Sequence, residues 1–191
     1  MYYKFIVLLK LYKKRIIWLL ILFVGETLTI AAMSGFQKTL EQLLVLSAFI
    51  PLIISSGGNS GSQASTLIIQ AMALGEITIA DWWRIMKREI ISGLLLGTSL
   101  CIIALSVVFV WHFFSNIFGD HPLRIGLTVG CSLIGIVLWG TLMGSMLPLV
   151  LKKFGADPAT SSTPFVATLV DVTGLLIYFS MAYLFLSGVL L

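Results

Sequence analysis

Two carboxylic acids lie where the surrounding sequence leaves them neither water nor a base. Glu26 sits about ten residues into the apolar run 16–34, and Asp171 lies within Thr168-Leu169-Val170-Asp171-Val172-Thr173-Gly174 of the run 160–188. An ionisable group at the centre of a bilayer costs about 2.5–3.5 kcal/mol on insertion scales, so each needs a named partner. An intramembrane salt bridge is the ordinary solution, but no Lys or Arg falls inside an apolar run of this chain. Two readings remain: a protonated carboxyl hydrogen-bonded between helices, or a carboxylate whose counter-charge is a passing cation. Asp171 has the richer surroundings for the second. Pro164 lies seven residues earlier, two helical turns away on the same face, and frees the carbonyl of Thr160. Carbonyl and carboxylate oxygens are the ligands that hard cations prefer. Asp157-Pro158, at the mouth of the same run, reads equally as an N-cap with a first-turn proline or as a cation site at the mouth of a pore.

The elements that hold these acids follow from composition. Of 191 residues, 59% are hydrophobic and 10% charged, with a mean hydropathy of +1.07. A soluble domain has about 45–50% apolar and about 25% charged residues, so this chain cannot cover a water-soluble globule. Disorder, a coiled coil, a disulfide-stapled secreted scaffold and a nucleic-acid-binding module are excluded. The chain reads as an all-α membrane protein whose partner is the lipid bilayer.

A hydrocarbon core of about 30 Å needs about 20 apolar residues per helix. Five segments qualify, at about 16–34, 41–74 with an interruption, 90–111, 125–150 and 160–188. Ahead of them, residues 1–15 alternate Tyr, Phe and Leu with Lys and Arg, as a short amphipathic helix at the membrane surface does. Residues 16–191 then form the transmembrane domain. No small-residue cleavage site follows the first apolar stretch, so the N-terminus does not read as a signal peptide. With that end in the cytoplasm, ten of the twelve Lys and Arg fall inside and only Lys38 and Arg124 fall outside. This bias sets the N-terminus in the cytoplasm and the C-terminus outside.

The second segment is peculiar. Its 34 residues from Glu41 to Leu74 contain no Lys or Arg, and as one helix they would be about 51 Å long. Ser55-Ser56-Gly57-Gly58-Asn59-Ser60-Gly61-Ser62-Gln63 stands in the middle, a stretch that a lipid-facing helix would not carry. It is either a break in the helix or a helix whose small, polar face lines a pathway. A weak internal echo at an offset of 97 residues sets Pro51 against Pro148, Gly58 against Gly155 and Ser65-Thr66 against Ser162-Thr163. Paired interruptions of this kind mark binding sites in repeated transporter folds.

Enzyme signatures are missing: no Walker A, no Ser-His-Asp arrangement and no zinc spacing. His112 and His121 read as solvated residues of the loop after the third span. Cys101 and Cys131 lie in apolar runs and read as small hydrophobes. The pairs Gly93/Gly97, Gly126/Gly130 and Gly140/Gly144 have the spacing for close helix approach.

At Pro51 to Ile77 (PLIISSGGNSGSQASTLIIQAMALGEI) the chain resembles the membrane domain of the MgtE family of magnesium transporters and channels. Asp157-Pro158-Ala159, Pro164-Phe165-Val166-Ala167-Thr168 and Asp171-Val172-Thr173 form the second match. The resemblance implies a homodimer with a pore along its two-fold axis in a bacterial plasma (inner) membrane. Asp171 matches the family's central ion-binding aspartate, Asp157 an acid near the cytoplasmic gate, and Ala167 a carbonyl that approaches the ion. Asn59, with Gly58, Gly61, Gln63, Thr163 and Thr168, would line the pore, and Glu26 would be an auxiliary acid. Thr163 stands where relatives often carry Asn, and Gln70 where many carry Arg. The family's cytoplasmic, magnesium-sensing region is expected to be absent, leaving no soluble regulatory domain in this chain.

Mg²⁺ requires octahedral oxygen ligation and sheds water reluctantly, so its site needs few carboxylates and room for a hydrated ion. Oxygen ligands also admit Mn²⁺ or Co²⁺. A divalent ion entering an inside-negative membrane gains about 4.6 kcal/mol per 100 mV, so no ATP is needed. The sequence therefore reads as a non-enzymatic Mg²⁺ channel or transporter conducting inward. A proton- or sodium-coupled carrier and a non-conducting membrane scaffold subunit are the alternatives.

Overall fold

The computed structural model describes residues 2–37, 44–155 and 157–188. Helix α1 spans Tyr2–Gly35, the single turn α2 spans Leu44–Ser47, and α3 spans Ile50–Ala73. A 3-10 turn at Ile79–Asp81 leads into α4 (Trp82–Ser115), followed by α5 (Pro122–Lys153) and α6 (Pro158–Leu186). Among the described residues there is no strand, and five helical segments are long and apolar enough to cross a membrane. This is an all-α membrane protein.

The basic leader and the first span are one continuous helix, α1, whose membrane-compatible part begins at Ile16. Lys38, ahead of the second segment, and Glu41, at its start, lie outside the described residues. The interruption falls at Ala48-Phe49, ahead of the polar stretch, and residues 55–63 are helical throughout. Pro51 explains the position of the break. It occupies the first turn of α3, where its missing N–H is no loss. Pro148 and Pro164, by contrast, lie inside α5 and α6. The internal echo is therefore not structural: Pro51 opens a helix and Pro148 sits within one. Likewise Gly58 is mid-helix, whereas Gly155 follows α5 with a φ of +76°.

Glycines set the packing. In α4, added Cβ atoms at Gly93 and Gly97 would meet the α5 backbone at Leu138 and Ile134, at 2.9 and 2.8 Å. From the α5 side, Gly126 faces Leu105 and Gly130 faces Cys101. The pairing descends along one helix as it ascends the other, so α4 and α5 are antiparallel. Gly57 and Gly61 of α3 rise together with Ile136, Gly140 and Gly144 of α5, so these two run parallel. Gly140 and Gly144 stack on the carbonyls of Gly57 and Gly61, which brings α3 and α5 into backbone contact. With no hydrophobic drive between helices in lipid, such close approach is what supplies packing energy.

Helix α6 closes the other side of α3 and α5. Val166 and Val170 are fully buried against Gly61 and Gly57. The Trp139 Nε1–H donates to Thr173 Oγ1 at 2.8 Å, and the buried Tyr178 hydroxyl donates to the Leu46 carbonyl at 2.9 Å. Helix α1 leans on α6 through Gly25 against Thr168, and Phe36, just past its end, stacks on Phe179, centroids 4.5 Å apart. Its remaining surface is open, with Phe23, Val24 and Ile30 exposed, as a lipid-facing helix requires.

Candidate functional site

The site is built on one stripe of α6 and one of α3. Along α6, Thr163, Pro164, Ala167, Thr168 and Asp171 recur at intervals of three and four and so share a face. Asp171 is half-buried. A Cβ built on Gly58 of α3 would come to 3.6 Å from Asp171 Oδ1. The glycine therefore leaves the carboxylate uncovered on that side.

Glu26 comes to the same place from α1. It is half-buried and accepts a hydrogen bond from Thr29 Oγ1 at 3.3 Å. The contact of Gly25 with Thr168, one turn before Asp171, brings the two acids together. Thr168 itself faces α1, where with Gly25, Leu28, Phe165, Leu169 and Val172 it lines a groove of about 160 Å³. Ala167 and Thr163 are half-buried, and Thr163 Oγ1 lies 3.3 Å from Ser65 Oγ of α3. Asp157 is exposed immediately before α6. It stands fourteen residues ahead of Asp171, about 21 Å along the helix.

The α3 residues divide by face. Gly57 and Gly61 are buried between α5 and α6. Gly61 was expected to line a pore; the structure instead uses it for packing, because a Cβ there would meet Val166 at 2.7 Å. Gly58 and Ser62 are half-exposed, and Ser55, Asn59, Gln63, Thr66 and Gln70 are exposed. Asn59 Nδ2 donates to Ser55 Oγ at 3.1 Å, one turn below it on the same stripe. Ser55, Thr66 and Gln70 were noted in the sequence but not named among the pore-lining residues, although their spacing with Asn59 and Gln63 places them on that face. Glu89, buried at 8% exposure on α4 and facing Ser145, was also overlooked. It lies one residue before an apolar run, where an acid next to Arg88 reads as ordinary.

One of the two histidines differs from expectation. His112 belongs to the last turn of α4, whereas His121 stands in the loop, at the N-cap position of α5 with no side-chain capping hydrogen bond. Among the described residues no group of three His, Cys, Asp or Glu gathers to hold a metal ion within one chain. The acids at the site are Asp171 and Glu26.

A family model, MgtE, described as a divalent cation transporter, matches residues 50–181, a region that holds both stripes. The chain belongs to the MgtE family. It is 41% identical over 179 residues to the magnesium transporter MgtE of Thermus thermophilus, covering 94% of this chain and 38% of that protein. Identity to the magnesium transporter MgtE of Enterococcus faecalis is 31%, over 93% of this chain and 38% of the relative. For the Bacillus subtilis magnesium transporter MgtE it is 30%, over 92% and 37%. The chain thus spans less than two fifths of the length of these curated MgtE relatives. The family is one of transporters rather than enzymes. Glu26 falls outside the MgtE-matched region, whereas Asp171, Asp157, Ala167 and Asn59 fall within it.

Proposed function

We propose that this chain forms the ion-conducting part of a divalent-cation channel or transporter that carries Mg²⁺ inward through a pore on a homodimer axis. The polar stripe Ser55, Asn59, Gln63, Thr66 and Gln70, exposed on a membrane-spanning helix, carries the reading. Polar groups at membrane depth have to meet water or protein. Apposing two copies on this face encloses the stripe and directs Asp171, past the bare Gly58, toward the shared axis. One Asp171 from each subunit, with remaining positions held by water, suits an ion that keeps much of its hydration. The relatives' names, magnesium transporters, support the same cargo; Mn²⁺ and Co²⁺ share its ligand chemistry.

In this reading Asp171 binds the ion and the Ala167 carbonyl approaches it one turn away. Asn59, Gly58, Gln63 and Thr163 line the path, Thr168 positions α6 on α1, and Asp157 stands at the cytoplasmic mouth. Glu26 is an auxiliary acid that adds negative potential. Residues 1–15 lie at the interface and residues 16–191 form the transmembrane domain of a bacterial plasma-membrane protein. The starts of α4 and α6 and the end of α5 share one side, which carries Arg84, Lys87, Arg88, Lys152 and Lys153. That side is cytoplasmic by the positive-inside rule, with the C-terminus outside.

The test is Mg²⁺ entry into liposomes under an inside-negative potential, read by an internal dye, for wild type and Asp171→Asn. Entry lost in the variant is expected; equal entry in both moves the site elsewhere, and none in either leaves the scaffold reading. A second reading, a proton-coupled carrier, rests on the two acids that α1 and α6 bring to one place, Glu26 and Asp171. An imposed proton gradient that drives uptake without a membrane potential would select it.

A further inference from the structure

At the end of the bundle where α4 begins and α5 ends there is an open pocket of about 390 Å³, lined by Ile79, Trp82, Leu149, Val150, Lys153 and Phe154. Five of those residues are apolar and one is a cation. Helix α4 has 34 residues, about 51 Å, against a hydrocarbon core of about 30 Å. Its first turns therefore reach into the headgroup region. Trp82, Trp83 and Phe154 are 40%, 58% and 81% exposed there, the position that amphipathic aromatic rings take at a membrane surface.

The rim is basic. Arg84, Lys87, Arg88, Lys152 and Lys153 all belong to the two helix ends that frame the pocket, and all are exposed. The acids on the same ends are Asp81, 3.6 Å from Arg84, and Glu89, 4.0 Å from Arg88. Lys87 sits over the Trp83 ring at 5.4 Å. Neither of these ion pairs involves Lys152 or Lys153, which stand in the last turn of α5. An apolar slot with an ammonium at its mouth matches a molecule with an acyl tail and an anionic head.

Both walls are held by their own backbone. The Glu76 N–H donates to the Ala71 carbonyl at 3.0 Å, and Gly75 turns the chain with a φ of +74°. Asp81 Oδ2 accepts from the Thr78 N–H and hydroxyl at 2.9 and 3.0 Å, fixing the turn that presents Ile79 and Trp82. Across the pocket, Phe154 N–H donates to Val150 and Leu151 at 3.1 Å, and Gly155 ends α5 with a φ of +76°. A pre-formed slot loses little conformational freedom on binding.

We propose that this pocket binds an anionic phospholipid of the cytoplasmic leaflet, with an acyl chain against Trp82, Leu149 and Phe154 and the phosphate at Lys153. Basic pockets between membrane helices recognise such headgroups, at roughly the strength of one charge pair per Lys or Arg. The binding is independent of the ion path: the pocket shares no residue with either polar stripe.

The experiment is native mass spectrometry of the purified protein released from micelles doped with phosphatidylglycerol or phosphatidylcholine. Retention of phosphatidylglycerol over phosphatidylcholine is expected, and Lys153→Ala should reduce that preference about fivefold. Trp82→Ala should weaken retention of both lipids, while Arg124→Ala, at the opposite end, should leave it unchanged. Equal retention of the two lipids by the wild type overturns the proposal, as does an Arg124→Ala loss equal to that of Lys153→Ala. Lys153→Arg, which keeps the charge, must restore the preference; a failure to do so also overturns it. Occupancy by a second copy would show as a dimer that Phe154→Ala dissociates with no lipid retained, and would replace the lipid.

Discussion

Helices α3 and α4 use the same device on their inner faces and opposite chemistry on their outer ones. Each lays a pair of glycines four residues apart against α5, Gly57/Gly61 from one and Gly93/Gly97 from the other. Outward, α4 shows Ile91, Leu95, Ile102 and Val110, all more than half exposed. Helix α3 shows Ser55, Asn59, Gln63, Thr66 and Gln70. The inner faces say only that both helices pack closely. The outer faces say what each meets next, lipid for α4 and something polar for α3. In a membrane the informative surface is the one the isolated chain leaves uncovered, because lipid and protein partners demand opposite residues there.

That contrast can be broken in graded ways. The largest effect belongs to the shared device: Gly144→Leu drives a side chain into the Gly61 carbonyl, and overpacking of this kind costs about 1–3 kcal/mol or more. Gly97→Leu should behave alike against Ile134. Thermal unfolding in detergent reads both, and an unchanged midpoint in either would show that the seam yields more easily than its backbone contacts imply.

The next effect separates the two outer faces. Leu95→Asn places an amide in lipid and should destabilise the protein by about 1–3 kcal/mol. Asn59→Leu should leave stability intact and reduce Mg²⁺ flux severalfold. Equal outcomes for these two substitutions would remove the distinction between the faces.

Within the polar face, Asp171→Asn should lower flux at least about tenfold, the equivalent of 1.4 kcal/mol. Glu26→Gln should lower it less, about two- to fivefold, since it acts on the ion through potential rather than ligation. A Glu26→Gln loss as large as that of Asp171→Asn would make Glu26 a ligand. The smallest effect is structural: Trp139→Phe removes the hydrogen bond to Thr173 and should cost about 1 kcal/mol of stability, with flux retained per folded molecule.

Much of this was legible in the residues. The acids Glu26 and Asp171 stood out because the apolar runs hold no base. The small-residue spacings marked the seams, and each of Gly93/Gly97, Gly126/Gly130 and Gly140/Gly144 does lie in a helix contact. Gly61 was misassigned because it stands in a polar stretch that also holds Gly58. One residue type there serves two faces, and its role depends on a rotation of roughly 100° per residue about the helix axis relative to neighbours far away in sequence. Of the two readings of residues 55–63, a break or a helix with a small, polar face, the structure takes the helix, for a related reason. A run of Gly and Ser looks weak as an isolated helix, but close packing of α5 and α6 on its bare side holds it.

What the sequence determined by itself is everything that depends on local composition: five spans, their polarity of basic ends, and two acids that hydrocarbon cannot leave unattended. Those are transfer energies, and they add along the chain. What only the tertiary structure decided is which residues meet. Asp171 lies beside Gly58 from a segment more than a hundred residues earlier, and Thr168, one turn before it, meets Gly25 from another. Ser65 and Thr163 come to 3.3 Å across 98 residues. Contacts of this kind arise from how helix surfaces interlock, which depends on pairs of distant faces at once and leaves no periodic trace in either segment alone.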